Sequence, residues 1–96
     1  MELNSKQRRY LKSLAHHLNP AVQVGKQGYS PQMRSEIDRS LSDHELIKVR
    51  ILADEKSEFT ALSELITTET KAALVDTIGR IALLYREGDE PQIRLP

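Results

Sequence analysis

Val22-Gln23-Val24-Gly25-Lys26-Gln27-Gly28-Tyr29-Ser30-Pro31 is the stretch from which the rest of the chain can be read. Val22 to Val24 is a short apolar run with the look of a buried strand, and it stops at Gly25. Ser30-Pro31 has the signature of a helix start. Serine supplies an N-cap oxygen, and proline, with no N–H to lose, suits the first helical position. The order is therefore strand, Gly-Lys-Gln-Gly turn, helix. Two glycines permit positive φ and a close approach by another molecule. The helix N-terminus behind them carries free N–H groups and a partial positive charge, and Lys26 adds a full one. That is chemistry for a phosphate, or for a polymer of phosphates. The turn is neither a mononucleotide P-loop nor a dinucleotide fingerprint, since Gly-x4-Gly-Lys-Ser/Thr and Gly-x-Gly-x-x-Gly are both absent. Glycine turns of this kind also occur without any ligand, so the motif gains weight only from its surroundings.

On the amino-terminal side, Asn4 and Gln7 have the spacing of a capping box. Leu11, Leu14, Ala15 and Leu18 follow at i, i+3, i+4 and i+7, one face of a helix that Asn19-Pro20 ends. Arg9, Lys12 and His16 fall together on another side, either as a solvated face or as part of a basic surface. His16 and His17 are adjacent and point about 100° apart, so they cannot form a helical zinc pair.

On the carboxyl side, a helix runs from Pro31 to about Leu41 with Met33, Ile37 and Leu41 inward, and Arg34 is spaced to pair with Asp38. Tyr29 is placed either to stack on a base or to fix by packing how the chain enters that helix. Glu45 to Leu52 is a strand: Ile47, Val49 and Ile51 alternate with Lys48 and Arg50, which puts two cations on one face. Asp54 is the expected N-cap of a third helix, Glu55 to Thr70, with Phe59, Leu62, Leu65 and Ile66 inward. Glu55, Glu58, Glu64 and Glu69 make its outer side acidic. Lys71 to Ile78 and Ile81 to Arg86 flank Gly79-Arg80 as a hairpin with a type II′ turn. The expected partners are Ile78–Ile81, Thr77–Ala82, Asp76–Leu83, Val75–Leu84, Leu74–Tyr85 and Ala73–Arg86. Both faces of this hairpin are apolar, which predicts cover on both sides. The tail, 88 to 96, is expected to be mobile or loosely docked.

The order α-β-α-β-α-β-β defines an α/β fold: a two-layer sandwich with a four-stranded mixed sheet and helices mainly on one face. The first helix is expected on that helical layer or at a sheet edge. Ninety-six residues make a single domain. The net charge is zero, from 14 basic and 14 acidic residues, but residues 1–50 carry +4 and residues 51–96 carry −4. A basic half can attract nucleic acid when the whole does not. With no cysteine there is no disulfide, thiolate metal site or cysteine nucleophile. No apolar run reaches the length of a membrane span and no signal-peptide pattern opens the chain, so a soluble cytoplasmic protein is the expectation, and a monomer is expected separately. Nothing marks a nucleophile elbow, and the three histidines lack a metal spacing. His44-Glu45 is the one adjacent pair that acid–base chemistry would suit, and helix capping suits it as well. The reading is therefore of a protein that is not an enzyme and has no cofactor.

Four segments occur in order: Ala15-His16-His17-Leu18-Asn19-Pro20, Val24-Gly25-Lys26-Gln27-Gly28, His44-Glu45-Leu46-Ile47-Lys48-Val49-Arg50 and Ile78-Gly79-Arg80-Ile81-Ala82-Leu83-Leu84-Tyr85-Arg86. Together they resemble the CRM domain, the chloroplast RNA splicing and ribosome maturation module, in its free-standing bacterial YhbY-like form, over about residues 3 to 87. The resemblance implies a fold similar to the carboxy-terminal domain of bacterial translation initiation factor three. It implies RNA binding without catalysis, and association with ribosomal RNA in large-subunit precursor particles, with ribosomal proteins as further partners. It likens Gly25, Lys26, Gln27 and Gly28 to the Gly-x-x-Gly clamp of KH domains. Its second motif maps onto Lys48 and Arg50, and its third onto Gly79 and Arg80. The expected RNA contacts are thus Gly25, Lys26, Gln27, Gly28 and Tyr29, with Arg9, Lys12, Lys48, Arg50 and Arg80 extending the surface. The neutral total charge points to modest affinity or to a ribonucleoprotein partner. The alternative is a module that docks on a ribosomal protein or assembly factor.

Overall fold

A computed structural model describes residues 2–96. The elements are α1 (Ser5–Leu14), β1 (Pro20–Val24), α2 (Pro31–His44), β2 (Leu46–Ile51), α3 (Lys56–Thr70), β3 (Ala73–Ile78) and β4 (Ile81–Tyr85), with a 3₁₀ turn at Ala15–His17. The strands form one mixed sheet in the order β1-β2-β4-β3. β1 is parallel to β2, and β4 is antiparallel to both of its neighbours. The local signals at two helix starts work as the sequence predicts. Asn4 Oδ1 accepts from the Gln7 N–H at 2.8 Å while Gln7 Oε1 accepts from the Asn4 N–H at 3.1 Å. Ser30 Oγ accepts from the Met33 N–H at 3.3 Å, with Pro31 opening α2.

Strand side chains alternate between the two faces of the sheet, and each face has its own apolar cluster. On one face Val24, Ile47, Val49, Ile51, Ala82 and Leu84 meet Ile37 and Leu41 of α2 and Phe59 and Ile66 of α3. This is the two-layer unit. On the other face Leu46, Ala73, Val75, Leu83 and Tyr85 meet Leu3, Leu11 and Ala15. Helix α1 therefore stays off the helical layer and lies on the opposite face, over the edge strand β3. The reason is the doubly apolar hairpin. Leu83, Tyr85 and Val75 point away from α2 and α3, and each large side chain that α1 covers contributes about 1.5–3 kcal/mol.

The α1 stripe is shorter than its spacing suggested. The α-helix stops at Leu14, the 3₁₀ turn changes the angle per residue, and Leu14 and Leu18 end up exposed while Leu11 and Ala15 are buried. The hairpin register also departs from expectation beyond Asp76. Ile78–Ile81, Thr77–Ala82 and Asp76–Leu83 pair as predicted, but an irregularity at Val75 makes Leu74 face Leu84 and Ala73 face Tyr85. Such a bulge leaves carbonyls without ladder partners. Arg8 Nη1 donates to Leu74 O at 2.6 Å and to Val75 O at 3.0 Å, so α1 also ties down the bulge.

Several other expectations are corrected. Helix α2 continues through His44, where Glu45 turns the chain with a φ of 66°. Glu55, not Asp54, is the N-cap of α3, and no side-chain bond caps it. Leu65 is exposed, and Ser63 and Thr70 take buried positions, their hydroxyls bonded to Phe59 O at 2.8 Å and Ile66 O at 2.7 Å. Arg34 pairs with Glu69 at 3.9 Å rather than with Asp38, whose carboxylate meets Arg86 at 2.8 Å. The tail is docked: Ile93 and Leu95 pack against the α1-side cluster, and the Gln7 side-chain amide donates to Pro96 O at 3.3 Å.

Candidate nucleic-acid interface

The turn Gly25–Gly28 stands at the end of the sheet where β1 and β2 finish and the β3–β4 turn lies. The Gly28 N–H donates to Gly25 O at 3.0 Å, closing a β-turn with Lys26 and Gln27 at its centre. That bond occupies one of the amides that a Gly25-to-Gly28 clamp would offer. The N–H groups of Lys26 and Gln27 make no hydrogen bond among the described residues. The two glycines differ. Gly28 has a φ of +98°, a backbone angle that side chains resist. Gly25 has no positive φ, and a Cβ there would meet nothing within 4 Å. The fold does not require glycine at 25, which leaves close approach from outside as its physical use.

The side chains around the turn are cationic and partly held. Lys26 Nζ stands 3.8 Å from Asp54 Oδ1, and both groups are largely exposed, so the pair is weak and open to exchange. Arg80 lies behind it: Nε donates to Ala53 O at 3.0 Å and Nη2 to Asp54 O at 3.3 Å, and the guanidinium carbon lies 5.7 Å from the centre of the Phe59 ring. Arg80 thus fixes the β2–α3 loop that faces Lys26. Arg50 is exposed on the α1-side face and registers with Gln23, two residues before Gly25, and with Ile81, next to Arg80. Gly25–Gly28, Lys26, Gln27, Arg50 and Arg80 therefore share one end of the molecule.

The remaining expected contacts are placed differently. Lys48 registers with Pro20 at the start of β1, and its ammonium donates to Leu18 O at 2.9 Å. Arg9 and Lys12 lie on α1 over β3, three strand spacings or about 14 Å across the sheet from β1. Lys12 Nζ is 3.3 Å from Asp76 Oδ2, while Arg9 is exposed. Tyr29, expected among the contacts, packs inward against the core. Its hydroxyl is buried without a hydrogen-bond partner of ordinary geometry. Burial first, and the Glu69 carboxylate second, raise its pKa well above the usual phenol value. Its ring packs against the core just before the start of α2.

Two polar residues carry more structure than their sequence context suggested. Arg86 Nη1 donates to Asp38 Oδ1 at 2.8 Å and Thr70 O at 2.7 Å, and Nη2 donates to Asp38 O at 2.9 Å and Ser42 Oγ at 3.1 Å. Glu45 is buried, and its carboxylate is wholly engaged with tail amides, so His44-Glu45 is no acid–base pair. Neither partner set is visible without the fold, because all lie at least 16 residues away along the chain. The charge asymmetry becomes spatial only in part, because α2, with Arg34 and Arg39, shares its face of the sheet with acidic α3. No acidic residue occurs between Glu2 and Glu36, a run holding Lys6, Arg8, Arg9, Lys12, Lys26 and Arg34. Helix α1 from this run covers one face, and acidic α3 covers the other. Among the described residues no group of three or more His, Asp or Glu could hold a metal, and no helix is long and apolar enough to cross a membrane.

The fold and this loop define the class, a small α/β domain with a glycine-turn junction at one end of a mixed sheet. The chain belongs to the CRS1 / YhbY (CRM) domain family, whose model matches residues 3–86. It is 45% identical over 94 residues to a protein of Haemophilus influenzae named RNA-binding protein, covering 98% of this chain and 95% of the relative. It is 41% identical over 95 residues to YqeI of Bacillus subtilis, named a probable RNA-binding protein, covering 98% and 99%. The solution structure of a hypothetical protein from Staphylococcus aureus, described as a candidate RNA-binding protein, superposes with a TM-score of 0.85 at 40% identity, covering 99% of this chain and 100% of the other.

Proposed function

We propose that this protein binds RNA without catalysis and associates with ribosomal RNA in large-subunit precursor particles in the cytoplasm. The free amides of Lys26 and Gln27 and the N-terminus of α2 hold a backbone phosphate, Lys26 exchanges Asp54 for the same anion, and Arg50 extends the track. The observation that carries this reading is the Gly25–Gly28 turn: Gly25 is a glycine the fold itself does not need, and unshared amides lie beside it. The relatives' names, RNA-binding protein and probable RNA-binding protein, support the RNA part of this reading. Contacts of this type position the polymer and read little base identity.

The test is co-sedimentation of the protein with ribosomal particles at low and moderate salt, beside the variant Lys26→Glu/Gln27→Glu. Both positions are exposed turn centres, so the variant keeps the fold. Wild type travelling with large-subunit precursors at low salt, leaving them as salt rises, and a variant staying at the top of the gradient are the expected results. Equal migration of both proteins at every salt would place the contact elsewhere.

A further inference from the structure

A groove of about 370 Å³ lies between α3 and the β3–β4 hairpin. That is within the range of about 300–1,000 Å³ that small ligands fill. Lys56, Phe59, Thr60, Ser63 and Glu64 form one wall, at the i, i+3, i+4, i+7 and i+8 spacing of a single helical face. Leu74, Thr77, Gly79 and Arg80 form the other. The bulge at Val75 builds this second wall. Residues 74 and 77 would face opposite sides of a regular strand, but the irregularity resets the alternation. Val75 and Asp76 both turn to the α1 side, where Asp76 meets Lys12, and Leu74 and Thr77 are left together on the α3 side. The groove has a cationic end and an acidic end. Helix α3 turns back into β3 across Lys71-Ala72, so Lys56 falls at the Gly79-Arg80 end and Glu64 at the Leu74 end, about 12 Å apart along the helix. Among the described residues neither Lys56 nor Glu64 is in an ion pair, and the Thr60 and Thr77 hydroxyls make no hydrogen bond. The cationic end adjoins the glycine turn, since Arg80 Nη2 and Lys26 Nζ both reach Asp54.

We propose that this groove holds one guanosine nucleotide of an RNA strand anchored at the glycine turn, a proposal that rests on the RNA reading above. The polarity of the groove sets the orientation, with the phosphate at Lys56 and the base at Glu64. An ionised carboxylate only accepts hydrogen bonds. The Watson–Crick edge of guanine presents two adjacent donors, N1–H and the N2 amino group, which a carboxylate takes as a pair. Adenine and cytosine place an acceptor nitrogen beside their one amino group, and uracil flanks its N–H with two carbonyls, so each sets lone pairs against Glu64. Leu74 gives the base an apolar wall, and the Thr60 and Thr77 hydroxyls, midway along, stand where a ribose passes. Arg80 stays bonded to Ala53 O and Asp54 O and lines the groove. Of the other α3 acids, Glu55, Glu58 and Glu69 are outside the lining, and at 100° per residue Glu58 lies on the far side of the helix from Lys56. The turn then positions the backbone, and the groove reads one base.

The full chain is titrated with a uridine oligonucleotide of roughly six nucleotides, with the same strand carrying one central guanosine, with the same strand carrying inosine, which lacks the N2 amino group, and with guanosine 5′-monophosphate alone. Methyl and amide NMR spectra report where each binds and how tightly. The guanosine strand is expected to bind about tenfold tighter than the all-uridine strand, with inosine between them, and to shift the methyl signals of Leu74, Thr60 and Thr77. Glu64→Gln replaces an exposed helical residue with another good helix former, so the fold is kept. It is expected to erase the guanosine preference and leave all-uridine binding unchanged, whereas a structural role for Glu64 would not alter the ratio of the two. A preference that survives Glu64→Gln overturns the proposal, as do guanosine shifts confined to other residues. Binding of every strand at residues 25–28 with no guanosine preference removes the groove and leaves the RNA reading standing. Saturation of the groove methyls by the mononucleotide, with no strand perturbing 25–28, removes the RNA strand and leaves the groove to a free guanosine nucleotide. Silence from all four probes overturns both.

Discussion

The Glu45 carboxylate and the Gly88 amide lie 2.7 Å apart, and the other carboxylate oxygen accepts from the Gln92 and Ile93 N–H groups at 2.8 and 2.9 Å. Burial alone would raise the pKa of this acid, but three backbone donors outweigh it and hold it below the ordinary glutamate value. With a depressed folded-state pKa, the anchoring is complete above the unfolded value near about 4.3 and is lost as pH falls through the folded one. The Gln92 and Ile93 amide signals are therefore expected to hold constant from neutral pH down to about pH 4 and to change only below it. Glu45→Gln should release the tail at neutral pH at a cost of about 1–3 kcal/mol, read by hydrogen exchange at those amides. Titration of the amides near neutrality would contradict the anchor.

Arg86 joins the end of β4 to α2 and α3 through four hydrogen bonds, including the 2.8 Å contact with Asp38. A flat guanidinium reaches Asp38, Thr70 and Ser42 together, and an ammonium cannot. Arg86→Ala is expected to lower stability by about 2–4 kcal/mol, since it also strands the Asp38 carboxylate and the Thr70 carbonyl. Arg86→Lys should recover less than half of that loss. Urea denaturation midpoints at constant slope measure both, and full rescue by lysine would show that charge alone matters.

Much of the fold could be read because its signals are local. Asn4 with Gln7, Ser30-Pro31, the alternation through Ile47, Val49 and Ile51, and Gly79-Arg80 each act within a few residues, and each works as expected. What could not be read depends on distant partners. The side of the sheet taken by α1 is decided by Leu83, Tyr85 and Val75, and the slip at Val75 goes with a guanidinium from residue 8. The tail looked loose because it has two prolines, Pro91 and Pro96, and mixed charge, and its anchor sits at residue 45. The glycine turn was legible as a motif, and so were the cations near it. Which cations are already engaged was not: Lys48 with Leu18 and Lys12 with Asp76 follow from topology.

The two glycines of the turn should separate stability from binding. Gly28→Ala forces a side chain to a φ of +98° and is expected to cost about 1–2 kcal/mol in thermal or urea unfolding. Gly25→Ala meets open space at an unstrained angle, so its stability should change by less than about 0.5 kcal/mol. If a phosphate approaches the backbone there, the same methyl group should nevertheless weaken RNA binding. An alanine at 25 that alters neither property would leave that glycine without the use assigned to it.

Lys26 and Arg80 both contact the Ala53–Asp54 loop, the first at a side chain and the second at carbonyls, and should fail differently. Lys26 is a free-swinging cation whose one neighbour, Asp54, is exchangeable, so Lys26→Ala should remove a phosphate contact. The slope of log affinity against log salt is then expected to fall by about 0.7 for single-stranded RNA. The guanidinium of Arg80 is already bonded to Ala53 O and Asp54 O and stacked toward Phe59, which makes it a support for the loop. Arg80→Met keeps much of the packing and loses both bonds, so it should lower RNA affinity and urea stability together while leaving the salt slope unchanged. Filter-binding titrations over a salt series, run beside urea melts, distinguish the two. A reduced slope in the Arg80 variant with unchanged stability would move Arg80 from the support of the loop to the RNA itself.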